Sequence, residues 1–277
     1  MPELPEVETV AAQLRAALTH RTVRSIAIHR EDYIRLGASD LARSLPGKRC
    51  VRIDRIGKRI TLKLHPVGEL AFHLGMTGNV TLDSPTAAVL PHTHAKLLFD
   101  GLRREVRIRD PRRFGGVWYC ATGPIPDVPH MGRLGPDALT IETRKFSSLV
   151  NRKRQIKALL MDQRVISGLG NIYCDEALHA AGIHPLVPGA DIGAKQLSKL
   201  AAAVRRTLAR AVKKGGSSIS DYRNANGEAG WFQLEHRVYG RAGAPCRKCR
   251  QPIESQQIAG RTTHFCPICQ PLAKSTR

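Results

Sequence analysis

The chain has 277 residues, 42% of them hydrophobic, enough for two domains and a small module, and the lack of an internal repeat excludes a solenoid. Lys and Arg number 44 against 23 Asp and Glu, a formal net charge of +21 that points to a polyanionic partner, either nucleic acid or an anionic membrane surface. No run of 18 apolar residues exists and no long basic amphipathic face stands out, so a spanning segment is excluded and a membrane-surface role is disfavoured.

The chain opens Met1-Pro2-Glu3-Leu4-Pro5-Glu6. Removal of Met1 would expose Pro2 as a secondary amine, a nucleophile able to condense with a sugar aldehyde carbon. Glu3 and Glu6 lie within one turn of it and suit proton transfer. The same residues also suit a plain helix start, where Pro fits the first turn and acids favour the dipole. Val7, Val10, Leu14 and Leu18 recur at helical spacing and predict a helix from about Glu6 to Leu18. The runs 22–29, 50–64, 70–82 and 96–118, rich in β-branched and apolar residues between Gly, Pro and Asp, predict strands. Asp100-Gly101 is a hairpin signal between two of them. Many short strands behind one long helix suggest a β-sandwich or flattened barrel.

Pro124, Pro126 and Pro129 mark a connector, after which the pattern becomes helical. Residues 143–162 are charged and helical in character, and 172–181 read as a helix ended by Gly182. Leu197, Leu200, Val204, Leu208 and Val212 form a helical stripe closed by Gly215-Gly216, and the stripe is core rather than site. The last strong signal is Cys246-x-x-Cys249 followed, after sixteen intervening residues, by Cys266-x-x-Cys269, a spacing that places four thiolates around one structural zinc. With no signal peptide in front, disulfides are not expected. His264 reads as a neighbour of the metal, not a ligand. Cys50, Cys120 and Cys174 read as small hydrophobes without a role.

Four stretches together carry a resemblance: Pro2-Glu3-Leu4-Pro5-Glu6-Val7-Glu8-Thr9, Asp110-Pro111-Arg112-Arg113-Phe114-Gly115, Gly168-Leu169-Gly170-Asn171-Ile172-Tyr173, and the ending at Cys266-Pro267-Ile268-Cys269-Gln270. The chain resembles the bacterial formamidopyrimidine-DNA glycosylase family from Pro2 to Gln270. The resemblance implies an α+β, multidomain fold: an N-terminal β-sandwich with a long helix (2–130), a helix–two-turns–helix domain with a lesion-capping loop (131–237) and a β-hairpin zinc finger (238–277). It implies a glycosylase and abasic-site lyase that excises 8-oxoguanine and ring-opened purines from duplex DNA through an iminium on Pro2, then cuts the backbone by β,δ-elimination. It also implies a monomer of the bacterial cytoplasm, nucleoid-associated when bound to DNA, with no membrane partner.

Residue by residue, the resemblance gives Glu3 sugar ring opening and proton transfer, and gives Glu6 the positioning of the nucleophile or an ordered water. Lys58, between two strand-like stretches, matches the family's active-site lysine. A base in the stack must be flipped out to be reached, and the gap must be filled. Met76 matches the void filler, Arg112 the contact to the orphaned cytosine and Phe114 the wedge beside it. From residue type alone, Met76 and Phe114 would instead be core. Lys157, Asn171 and Arg261 match phosphate contacts, and His73 and His92 match positions near the DNA backbone. Residues 217–232 resemble the lid over the extruded base, with Ser220 standing where some members carry a basic residue. The rival readings are an endonuclease VIII-type glycosylase for oxidised pyrimidines, disfavoured by Leu4 and the long lid, and a non-catalytic zinc-finger DNA-binding protein, which need not keep Pro2, Glu3 and Lys58 together.

Overall fold

A computed structural model describes residues 2–128, 131–219 and 221–272. Met1, Pro129 of the connector and Ser220 of the lid lie outside the described residues. The chain divides into two compact units, residues 1–133 with 214–231, and residues 134–213 with 232–277. Compactness therefore groups the 214–231 segment with the N-terminal sandwich, whereas the expected boundaries at 130 and 237 follow the change from strands to helices.

The first unit begins with α1 (Leu4–Leu18), two residues earlier than its periodicity predicts. Then come β1 (Val23–Ile28), β2 (Ile34–Leu36), α2 (Ala38–Ser44), β3 (Arg49–Ile56), β4 (Arg59–His65), β5 (Glu69–His73), β6 (Asn79–Asp83), β7 (Thr93–Phe99), β8 (Glu105–Arg109) and β9 (Gly116–Cys120). They form a four-stranded sheet, β1-β7-β8-β6, and a five-stranded sheet, β2-β9-β5-β4-β3. The inner faces of both sheets and the Val7, Val10, Leu14, Leu18 stripe of α1 share one apolar cluster. Each such side chain, fully buried, contributes roughly 1.5–3 kcal/mol of transfer free energy.

Among the described strands every pairing is antiparallel except β2 with β9, which run parallel. Neither β2 nor α2 is legible in the sequence, because a three-residue strand is too short to show alternation. Three predicted runs are each divided, 96–118 among them into β7, β8 and β9. Residues 50–64 fold back at Gly57-Lys58 into the β3–β4 hairpin. Residues 70–82 break at the Leu74–Gly78 turn, so that β5 joins the five-stranded sheet and β6 the four-stranded one. The chain also changes sheet from β1 to β2 and, through residues 110–115, from β8 to β9.

The second unit holds α3 (Thr143–Val150), α4 (Ile156–Met161), α5 (Asn171–Ala181) and α6 (Ala194–Lys213), then the hairpin β10 (Glu254–Ile258) and β11 (Arg261–Phe265). The 143–162 stretch is thus two helices rather than one. Gly182 closes α5 in the left-handed region, φ 73°, and its amide reaches the carbonyls of Leu178 and His179. Glu176 of α5, 4% exposed, accepts the amides of Arg237, Val238 and Tyr239 at 2.9–3.0 Å and so fixes the chain as it enters the zinc module.

Candidate active site

Pro2 is buried and leads directly into α1, whose N-cap is Glu3. Glu3 and Glu6 are each 1% exposed. A carboxylate loses its hydration on burial and persists only where donors replace the water. For Glu6 those donors are backbone amides: Oε2 accepts Glu3 N at 2.8 Å, and Oε1 accepts Ser217 N at 2.7 Å. The carbonyl of Glu6 accepts the Tyr222 hydroxyl at 3.2 Å. Burial first, and the Glu6 charge second, raise the Tyr222 pKa, so its hydroxyl stays a neutral donor. Gly216 sits at φ +82°, and a Cβ there would lie 2.6 Å from Glu6 Oε1. Only glycine lets this backbone approach the carboxylate so closely.

The segment read as a lid is closed on itself at its base and tied to α1 and β6 within the first unit. Gly230 N donates to Ser218 Oγ at 2.9 Å, Ala225 N to Gln13 Oε1 at 2.7 Å, and Leu82 N to the Ala225 carbonyl at 2.7 Å. Sequence reasoning missed Ser217, Gly216 and Tyr222 as partners of Glu6. Gly215-Gly216 was legible only as a helix stop.

Lys58 is half-buried at the tip of the β3–β4 hairpin, where Ile56 pairs with Arg59. Gly57 takes φ +60° at the first central position, as a type II′ turn requires. Arg55 braces the tip: Nη1 donates to the Gly57 carbonyl at 3.0 Å, and Nε donates to Glu8 Oε2 of α1 at 2.7 Å.

Met76 and Phe114 are 38% and 51% exposed, which removes the core reading for both. They lie on two of the three sheet-crossing connections, β5 to β6 and β8 to β9. His73 pairs with Gly116 across β5 and β9, and Asn79 pairs with Arg109 across β6 and β8. The register therefore forces the 74–78 and 110–115 loops side by side. The Arg112 guanidinium stacks 4.6 Å from the Phe114 ring centroid. Arg113 between them takes φ +54°, a reversal uncommon outside glycine, and Arg35 Nη2 holds its carbonyl at 2.9 Å. His73 Nδ1 accepts Gly75 N at 3.1 Å and so supports the Met76 turn. His92 is exposed, in the left-handed region at φ 68°. The Cys50 thiol is pushed up to about 12 by burial, in keeping with an inert core residue.

In the second unit Asn171 is the first residue of α5, and Gly170 occupies the N-cap. Its side-chain Nδ2 donates not to its own helix but to the Thr262 carbonyl of β11, at 2.8 Å. The turn before β11 uses Ala259 and Gly260, φ 52° and 70°, and Arg261 follows it, exposed. Helix start and hairpin tip thus present backbone N–H groups, an amide and a guanidinium together.

Lys157 requires a correction. The sequence reading makes it a phosphate contact, yet its side chain is 0% exposed. Nζ donates to Asp175 Oδ1 and to Thr263 Oγ1, both at 2.6 Å, and Asp175 Oδ2 accepts His264 N at 2.8 Å. Lys157 is a buried strut joining α4, α5 and the β10–β11 hairpin, because an ammonium without water takes the nearest carboxylate and hydroxyl.

The Sγ atoms of Cys246, Cys249, Cys266 and Cys269 all lie within 4.8 Å of one another. Cys249 and Cys266 are 3.4 Å apart and Cys246 and Cys269 are 3.9 Å apart. A tetrahedron with bonds of about 2.3 Å has edges of about 3.8 Å, so the donor set fits zinc and is too open for disulfides. The Lys248 and Cys269 amides point at Cys246 and Cys266 Sγ, each at 3.4 Å, as thiolate acceptors require. His264 remains outside the set of four.

Residues 1–117 match the sequence model of the formamidopyrimidine-DNA glycosylase N-terminal domain, residues 134–223 that of the formamidopyrimidine-DNA glycosylase H2TH domain, and residues 243–272 that of a zinc finger found in FPG and IleRS. The formamidopyrimidine-DNA glycosylase of Thermus thermophilus is 43% identical over 275 residues, 98% of each chain. That of Solibacter usitatus is 42% identical over 272 residues, 98% of this chain and 99% of the relative. The crystal structure of the MutM (Fpg) protein of Thermus thermophilus superposes with a TM-score of 0.86 at 40% identity, covering 99% of this chain and all of that one, 100%. The Lactococcus lactis enzyme, solved with DNA containing an abasic site, gives a TM-score of 0.88 at 32% identity over 98% of this chain and 100% of its own. A mutant of the same protein was solved with Fapy-dG DNA, with the same TM-score of 0.88.

Proposed function

The chain belongs to the formamidopyrimidine-DNA glycosylase family, and from that membership we propose how its own residues divide the reaction. It is a DNA glycosylase and abasic-site lyase acting on oxidised purines in duplex DNA, with one structural zinc. No helix among the described residues is long and apolar enough to cross a membrane. The named relatives are bacterial, which supports a repair enzyme of the bacterial cytoplasm, and we read it as a monomer that is nucleoid-associated while on DNA. The three modules 2–130, 131–237 and 238–277 serve chemistry, DNA grip and zinc-held grip respectively.

Pro2, freed of Met1, is the nucleophile. Its nitrogen bonds to C1′ as the damaged base, 8-oxoguanine or a formamidopyrimidine, departs with a proton. Opening of the sugar ring leaves an iminium, and the protonated ring oxygen draws its proton from Glu3. The iminium acidifies C2′–H. Loss of that proton expels the 3′ phosphate, and loss of the C4′ proton then expels the 5′ phosphate. Hydrolysis returns Pro2 as the amine. Glu6 orients the Glu3 backbone, and with it Pro2. Lys58 neutralises phosphate charge beside the lesion. Met76, Arg112 and Phe114 fill the gap, with Arg112 on the orphaned base. Asn171 and Arg261 hold phosphates, and His73 and His92 stand near the backbone. The zinc holds the hairpin that carries Arg261, and with four thiolates it has no open position for substrate.

The observation that carries this reading is the burial of Glu3 and Glu6, each 1% exposed, directly behind Pro2. The test is borohydride trapping on an 8-oxoguanine duplex, with the adduct located by peptide mass spectrometry. An adduct on the Pro2 nitrogen is expected. An adduct on a lysine, or preferential trapping on an oxidised-pyrimidine duplex run alongside, would overturn it.

A further inference from the structure

We propose that Asp110 is a positioning residue that locks the Met76 turn to the Arg112–Phe114 loop, so that the three side chains enter the duplex as one rigid wedge. The proposal rests on the reading of those three residues as gap fillers. Asp110 is 0% exposed and touches none of the proposed DNA contacts through its own carboxylate. Its Oδ1 accepts the Thr77 hydroxyl at 2.6 Å, one residue from Met76. Its Oδ2 accepts Gly115 N at 2.8 Å, one residue from Phe114, and the Tyr33 hydroxyl at 3.4 Å. Thr77 Oγ1 in turn accepts Arg112 N at 3.2 Å.

A buried carboxylate with neutral donors on both oxygens is costly to disturb, because removing the charge strands the donors as well. The backbone of Asp110 is pinned too. Its amide donates to the His92 carbonyl at 3.1 Å, and its carbonyl faces His94 Nε2 at 2.8 Å and accepts Arg113 N at 3.3 Å. That last bond helps hold Arg113 at φ +54°, the reversal that lets Arg112 stack on Phe114. Strain of this kind persists only where the surroundings over-determine it. Strand register brings the two loops together, and a single carboxylate ties one to the other.

The test compares two substrates. Excision from a lesion duplex needs the gap to be filled, whereas cleavage of a single-stranded abasic oligonucleotide has no opposing base and reports the chemistry at Pro2 alone. Asp110→Asn is expected to lower single-turnover duplex excision on the order of 10²-fold, the scale for a misplacement of about 1 Å, while leaving single-strand cleavage near wild type. Thr77→Val is expected to act in the same direction, and Thr77→Ser to recover it. Should Asp110→Asn fail to fold, the Thr77 pair decides the matter alone. Equal losses on both substrates, or no loss on the duplex, would overturn the proposal. Arg112→Ala and Met76→Ala separate the two levels. If they leave duplex excision unchanged, the wedge reading falls and the proposal with it. If they lower it while Asp110→Asn and Thr77→Val do not, the positioning role alone is wrong.

Discussion

One oxygen of Glu6 accepts the backbone amide of Ser217 at 2.7 Å, across 211 residues of chain, while the other accepts the amide of Glu3 at 2.8 Å. The start of α1 and the base of the lid segment are thus bonded to the same carboxylate.

Glu6→Gln keeps the size of the side chain but offers only one carbonyl oxygen to two donors. The loss of a charge-assisted bond is worth about 1.5–3 kcal/mol. Base excision should fall by about one to two orders of magnitude on that scale, with the melting temperature also lowered. Gly216→Ala should show the same pattern, since a Cβ would press on Glu6 Oε1 at 2.6 Å in a left-handed residue. Wild-type excision in both variants, measured in single turnover, would disconnect the lid base from the chemistry.

Glu3→Gln should lose most excision and most lyase activity, because an amide cannot exchange the proton. The side chain is 1% exposed and the amide keeps its size and an oxygen for the helix cap, so the fold should persist. Fluorescence anisotropy on lesion DNA should show binding retained. Full turnover would reduce Glu3 to a helix cap.

Lys157→Met leaves Asp175 as an uncompensated buried charge and should cost about 3–5 kcal/mol in denaturant unfolding. The slope of log affinity against log salt should not change, because the ammonium at 0% exposure neutralises no phosphate. A slope reduced by about one unit would restore the phosphate role that its residue type suggests.

Arg261→Ala, by contrast, should reduce that slope by about one while zinc stays bound. Chelation of the zinc, or Cys249→Ser, should weaken duplex binding further by releasing the hairpin. Borohydride trapping at saturating protein should persist, since four thiolates leave the metal no part in the chemistry. Loss of trapping at saturation would contradict a purely structural zinc.

What the sequence determined by itself is what neighbours along the chain can encode. The zinc set follows from two C-x-x-C pairs, and the four sulfurs do converge within 4.8 Å. The α1 and α6 stripes follow from apolar spacing, and Asp100-Gly101 marks the turn between β7 and β8 because few residues tolerate a left-handed backbone. Pro2, Glu3 and Glu6 are adjacent by covalent structure. Their burial is not, nor is the Ser217 amide on Glu6. Lys157 shows the limit from the other side: as a residue type it reads as a surface cation, and only packing brings it Asp175 and, 106 residues away, Thr263. Likewise the 74–78 and 110–115 loops look unrelated in the sequence. They abut because β5 with β9 and β6 with β8 pair in register at the points where the chain changes sheet. Periodicity reports which face of an element is buried, and it carries no record of what lies against that face. That information arises only when distant segments close on one core and must satisfy each other's polar groups there.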